Sequence, residues 1–178
     1  AAVKPAAGGL KPVPKKMGHI WIGYKRAPQQ WMQTWIDSHP EWDYELFDND
    51  YLFNRDWKNK RLIAEYVRRG RFEGASDLMR YEILYEQGGF IPEADSTCVE
   101  NVDILFTLPS LYTVYEHEVS EPGFVSPFLA SSPKHPFLKA VIDHLHDTHT
   151  PQSLPAPFRS VGNKFLGDFI TEQNPEVS

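Results

Sequence analysis

Two acidic residues one apart, Glu93 and Asp95, follow the short apolar stretch Phe90-Ile91-Pro92. At the end of a strand, carboxylates in that spacing point the same way and suit a hard divalent cation held through oxygen. Mg²⁺ or Mn²⁺ keeps several waters and bridges diphosphate oxygens, so one or two protein carboxylates suffice. An acidic-x-acidic triplet alone is common in solvated turns, so its neighbours decide. Upstream, Asp77 and Arg80 stand three apart, which puts them on one face of a helix. Alone they make an intrahelical ion pair of a few tenths of a kcal/mol, and on a buried helix such a pair needs further partners. Glu116, His117 and Glu118 fall on a strand and either reach a substrate or face solvent. Asn163 and Lys164 open a helix, where free N–H groups and a cation hold phosphate or simply cap the end. His144, His146 and His149 lack the i, i+4 spacing that puts two imidazoles on one helix face, so they read as a solvated helix end. The chain has no Walker A loop, GxGxxG or GxSxG.

The elements that must position these residues follow from pattern. Met17–Gly23, rich in Ile and Trp and closed by glycine, predicts a buried strand that includes Trp21. Pro28 suits a helix start; Trp31, Met32 and Trp35 lie at helical spacing before the stop at His39-Pro40. Tyr44–Asp48 predicts a second strand, with Asn49 and Asp50 as loop or cap. Lys60–Arg69 predicts a helix ended by Gly70. The stretch GASDLMRYEILYEQGG predicts a largely buried helix, opened by Gly74 or Ser76 and stopped by Gly88-Gly89. FIPEAD then leaves the glycines as a short strand that Pro92 ends. LYTVYEHEV and FVSPFLA predict two more strands separated by the turn Glu121-Pro122-Gly123. Pro136–His149 and Gly162–Glu172 predict the last helices, with a proline-rich loop over 151–157. Alternating strands and helices predict an α/β fold with a mostly parallel sheet, and in such sheets ligands gather beyond the carboxyl ends of the strands.

Composition bounds the function. A chain of 178 residues, 41% hydrophobic with 11 Phe, 8 Tyr and 5 Trp, is expected to form one domain with a sizeable core. The charge of −6, from 18 basic and 24 acidic residues with no basic block, argues against nucleic acid as partner. An anionic small molecule would then need local positive charge, for which a metal ion is the natural source. The single cysteine, Cys98, excludes an internal disulfide and a cysteine-built zinc site. It is compatible with a reducing compartment, and the expectation is cytoplasmic. No apolar run approaches the roughly 18 residues of a membrane-spanning helix. Residues 1–16, rich in Pro, Gly, Ala and Lys, have no apolar leader region and read as a flexible arm before a domain over 17–178.

The order of helix, double glycine, short strand and acidic pair is specific. SDLMRYEILYEQGGFIPEAD resembles the SDxxRxxxLxxxGGxYxDxD signature of the DXD-motif glycosyltransferases of family thirty-two. That family includes yeast-type Golgi mannosyltransferases and bacterial capsule and lipo-oligosaccharide transferases, and the clostridial glucosylating toxins share the signature. HIWIG resembles the family's first strand, and WIDSHPEWDYELFDND its next helix and strand. KHPFL and GNKFL are weaker echoes, so the likeness runs from about Met17 to Ile170. The resemblance implies a GT-A, Rossmann-like fold with a mostly parallel central sheet flanked by helices. It also implies metal-dependent transfer of a sugar from a UDP- or GDP-sugar to a carbohydrate or other acceptor hydroxyl, with retention of configuration. The alternative is a non-catalytic nucleotide-sugar-binding protein, or a half-site needing a partner chain.

Carried over residue by residue, the resemblance makes Asp77, Arg80, Glu93 and Asp95 the catalytic set. Glu93 and Asp95 would hold Mn²⁺ or Mg²⁺, while Asp77 and Arg80 would meet the donor sugar and phosphate. Trp21 would stack on the base or pack in the core, with Ile20 and Ile22 flanking it. Gly88, Gly89 and Ala94 complete the expected donor-binding residues, the glycines either leaving room for substrate or only stopping the helix. Two departures stand out: Glu93 replaces the family's first aspartate, and Ile91-Pro92 replaces its aromatic position. The chain also ends soon after GNKFL, where many relatives continue with a segment that helps close the donor site. Sugar, base, acceptor and oligomeric state are left open by the motif.

Overall fold

A computed structural model describes residues 9–117, 121–126 and 128–173. Its first strand, β1 (Lys16–Ile20), is buried from Met17 onward. Pro28 precedes α1 (Gln29–Ser38), and the residue pair His39-Pro40 stops it. β2 (Asp43–Phe47) pairs with β1 in parallel along its whole length, from Lys16 opposite Asp43 to Ile20 opposite Phe47. Asp48 accepts the Tyr51 N–H at 3.1 Å and so caps a short helix, α2 (Asn49–Phe53), where the sequence reads as loop. α3 (Lys60–Arg68) ends at Gly70, whose φ of 68° is the left-handed stop.

The long helix α4 (Phe72–Gln87) is the centre of the molecule. Leu78, Met79, Ile83 and Leu84 are all buried, as its all-round apolar pattern requires. It starts earlier than Gly74 or Ser76. Gly74 lies inside it because a Cβ there would stand 2.8 Å from the Tyr66 ring and 2.9 Å from Pro157. β3 (Gly89–Ile91) follows at once. A 3₁₀ turn (Asp103–Phe106) leads to β4 (Leu111–Tyr112), β5 (Tyr115–His117), β6 (Glu121–Val125) and β7 (Leu129–Ser131). Helices α5 (Pro136–Thr148), α6 (Pro157–Ser160) and α7 (Asn163–Gln173) complete the fold.

The main sheet has the order β2-β1-β3-β7-β4, with β5 and β6 forming a separate antiparallel pair. β2, β1 and β3 are parallel, and β7 runs against both its neighbours. Four of the five strands therefore share one direction, the mostly parallel α/β sheet expected. Successive residues point to opposite faces. Ile20 and Ile91 join a core with α3, α4, α5 and α7, while Met17 and Phe90 join Trp35, Trp42 and Phe106 on the α1 side.

Several expectations change. β1 stops at Ile20, so Trp21 lies just beyond the strand. LYTVYEHEV and FVSPFLA each split in two, because the chain passes between the main sheet and the small pair; the Ser126 N–H donates to the Val114 carbonyl at this junction. Glu121-Pro122-Gly123 enters β6 rather than standing apart as a turn. Within the stretch read as an arm, Val13 is buried, the Lys15 carbonyl accepts the Asp43 N–H at 2.9 Å, and Lys16 opens β1.

Candidate active site

The carboxyl ends of β1 and β3 and the first half of α4 enclose a cavity of 510 Å³. From α4 the residues Phe72, Ser76, Asp77 and Arg80 reach it, a spacing that keeps them on one face. Arg80 donates from Nη1 to Asp77 Oδ1 at 2.7 Å, and their side chains are only 8% and 14% exposed. Burial pushes the Asp77 carboxyl up to about 6; the Arg80 charge pulls it back only in part, and Glu73 adds to the rise. Arg80 Nε is buried without a partner, so the guanidinium keeps an unused donor. The pair is thus under-satisfied, and a hydroxyl- or phosphate-bearing ligand would supply what it lacks.

Glu93 and Asp95 line the same cavity. Burial raises the Glu93 carboxyl above its ordinary range, the negative charge of Asp95 raises it further, and Arg80 works in the other direction. The turn that carries the pair is braced from behind. Ser96 donates through its N–H (3.3 Å) and hydroxyl (2.7 Å) to the Glu93 carbonyl, and Trp35 Nε1 donates to the Ser96 carbonyl at 3.1 Å. Among the described residues neither carboxylate takes a hydrogen bond or ion pair, and no group of three or more His, Cys, Asp and Glu is gathered anywhere. Two mutually repelling, unpaired carboxylates facing a cavity fit a divalent cation that keeps waters or ligand oxygens in its other positions.

Trp21 lines the cavity, half-buried, and its Nε1 donates to the Lys25 carbonyl at 2.8 Å. Asn49 fixes the loop after β1 by accepting the Gly23 N–H at 2.8 Å and donating to the Gly23 carbonyl at 3.0 Å. Ile20 and Ile22 border the cavity with side chains that belong to the core, and Ala94 is buried between the two carboxylates. Gly88 and Gly89 do not border it. They sit at the opposite end of β3 with φ of 68° and 107°. A Cβ on Gly88 would stand 2.8 Å from Pro133, and one on Gly89 would overlap the Lys16 carbonyl. Their absent side chains let the chain leave α4 and lie tightly against β1, so of the two readings open for these glycines the geometry favours close packing over room for the donor.

Asn163 reaches the cavity from the start of α7 and donates to Glu116 at 2.8 Å, joining β5 to α7. Lys164 instead pairs with Asp168. Glu118 lies outside the described residues. His144 packs on Phe165 and Phe169, and His146 meets Asp147. Glu73, in the first turn of α4, and Tyr24, Lys25 and Arg71 also border the cavity and carry no motif signal; the last three lie on loops brought together only by folding, which have no period to read.

The family model described as "Glycosyltransferase sugar-binding region containing DXD motif" matches residues 26–111. Inositol phosphoceramide mannosyltransferase 2 of Schizosaccharomyces pombe is 27% identical over 139 residues, 76% of this chain and 39% of that protein. Inositol phosphoceramide mannosyltransferase 1 of the same yeast is 28% identical, over 90% of this chain and 52% of its own length. The chain therefore spans about two fifths to one half of these relatives. The solved structure titled PaToxG Glycosyltransferase superposes with a TM-score of 0.75 at 12% identity, over 95% of this chain and 73% of that one. The chain has a glycosyltransferase fold, and residues 26–111 carry the DXD-family region that holds Asp77, Arg80, Glu93 and Asp95.

Proposed function

We propose that this DXD-family glycosyltransferase domain moves a sugar from a UDP- or GDP-sugar to an acceptor hydroxyl, with Mn²⁺ or Mg²⁺ at Glu93 and Asp95. The observation that carries the reading is one cavity shared by the under-satisfied Asp77–Arg80 pair and two unpaired carboxylates. Asp77 accepts from sugar hydroxyls, and Arg80 donates to the sugar or to the phosphate next to it. Trp21 offers its ring to the base, on a loop that Asn49 holds in place. Lys25 and Arg71 add positive charge at the rim. A divalent cation, when bound, offsets the growing charge of the departing diphosphate, which an acidic chain has little else to meet. Retention, implied by the family resemblance, has the leaving phosphate oxygen take the acceptor proton on the same face of the sugar.

The mannosyltransferase names of the yeast relatives put GDP-mannose first among donors to test. The cytoplasmic placement rests on the lone Cys98 alone. Among the described residues no helix is long and apolar enough to cross a membrane. The test is release of nucleoside diphosphate from a panel of UDP- and GDP-sugars with Mn²⁺, with the anomeric configuration of the product read by NMR. Release that chelator stops and Asp95→Ala abolishes supports the proposal. Donors that raise the melting temperature without turnover point to a binding protein or half-site, a reading favoured by the Glu93 replacement. An inverted product removes the same-face mechanism, and donors that neither bind nor react refute the whole.

A further inference from the structure

The segment that walls the donor cavity continues into a second hollow of 430 Å³ formed by Arg26–Trp31. Ile20, Trp21, Ile22, Tyr24 and Lys25 face the first space, and the six residues after Lys25 line the second. Trp31 is 47% exposed there, although Trp35, one turn on, is buried. Among the described residues, no hydrogen bond or ion pair engages the side chains of Arg26, Gln29 and Gln30 or the Trp31 indole N–H. The backbone beneath them is fixed. Gly23 is held by Asn49, Lys25 by Trp21, and the Gln29 N–H donates to the Ala27 carbonyl at 2.9 Å. A flat apolar ring is thus bordered by two amides, a guanidinium and an indole N–H, all free, on a rigid base.

That combination matches one chemistry. A polyol ring has an apolar C–H face, which covers an indole, and a rim of hydroxyls, which need donors and acceptors in one plane. Gln offers both, and Arg adds a donor fork that also takes a phosphate. We infer that the Arg26–Trp31 hollow is the acceptor subsite, holding a hydroxyl-rich six-membered ring, a sugar or a cyclitol, against Trp31 with a hydroxyl directed to the donor cavity. This rests on the transfer reading, because an acceptor must bind beside the donor. It adds the acceptor's class and the residues that choose it.

The test uses the full chain labelled with ¹⁵N at its indoles, titrated with methyl α-mannoside and with myo-inositol 1-phosphate. Either ligand shifting the Trp31 signal supports the inference. Response to the mannoside alone assigns a neutral glycan; response to the phosphate ester alone, lost in Arg26→Ala, assigns an anionic headgroup. Trp31→Ala, followed by saturation transfer from the chain to the ligand, is expected to weaken binding about tenfold. Absence of a Trp31 shift with both ligands, or unchanged affinity in Trp31→Ala, overturns it. Titration with UDP and GDP plus Mg²⁺ keeps the two readings apart. Nucleotide that shifts Trp21 while neither polyol binds refutes only the acceptor subsite. Polyol binding without nucleotide binding refutes the donor reading and, with it, the acceptor role of the hollow, which is then a polyol-binding site only.

Discussion

Asp77→Asn should make the protein more stable at neutral pH and poorer at holding its donor. The folded-state carboxyl titrates near 6, against an ordinary 3.8, because burial outweighs the pull of Arg80. The folded chain therefore holds that proton more firmly than the unfolded chain. The stability this gives is fully present below pH 3.8 and lost as pH rises through 6. At about 1.4 kcal/mol per pH unit the loss is about 3 kcal/mol. Asparagine imitates the protonated acid and keeps an oxygen for the Arg80 hydrogen bond, so the variant escapes the loss. For a chain of this size about 3 kcal/mol is roughly 6–12 °C in melting temperature. Melting parent and variant from pH 4 to pH 8 isolates this group, since other titrating residues cancel in the difference. The curves should meet near pH 4, diverge between pH 4 and pH 6, and run parallel above pH 6, with the variant higher. A difference independent of pH, or a variant less stable than the parent at pH 8, would refute the argument that Asp77 is held charged at a cost. The same variant should bind nucleotide sugar more weakly while binding free nucleoside diphosphate as before.

Trp21→Ala should weaken nucleotide binding about tenfold while Trp21→Phe recovers most of it, measured by calorimetry with GDP or UDP; equal loss in both would mean the indole only packs. Gly89→Ala should cost about 3 kcal/mol in urea unfolding, from its φ of 107° and the overlap with Lys16. Its folded fraction should keep the parent's donor affinity, since the cavity lies at the other end of β3. His19 is fully buried and held neutral, its pKa lowered by burial to about 4, with Nδ1 3.0 Å from the Tyr44 hydroxyl. Its share of stability is present above pH 6.5 and lost as pH falls toward 4, so His19→Phe should flatten the acid limb of the stability curve between those values. An acid limb identical in parent and variant would show that other groups set it.

The parts of the fold legible in the sequence are those whose signal is local. The α4 helix declares itself through apolar residues on every side and a glycine stop, and the acidic pair through its place after β3. What was hidden depends on long-range pairing. LYTVYEHEV has the composition of one strand, yet Leu111–Tyr112 joins β7 and Tyr115–His117 joins β6. Gly88 and Gly89 look as suited to making room for a ligand as to close packing, and only the position of Lys16 and Pro133 decides. Trp31 and Trp35 share one helical face by spacing, yet one is exposed and the other buried. Lys25 and Arg71 meet at the cavity rim from loops with no common period.

The indole of Trp35 grips the turn behind Glu93 and Asp95 from the middle of α1, and the first turn of that helix carries Trp31. A single ten-residue rod thus links the turn of the proposed metal site to the proposed acceptor subsite. On that proposal, sliding or tilting it would alter the angle at which an incoming hydroxyl meets the donor sugar. Exchange of residues 26–31 alone, leaving Trp35 and the cavity-lining Tyr24 and Lys25 in place, is consequently the smallest graft for redirecting such an enzyme to a new recipient without re-engineering how it grips its nucleotide.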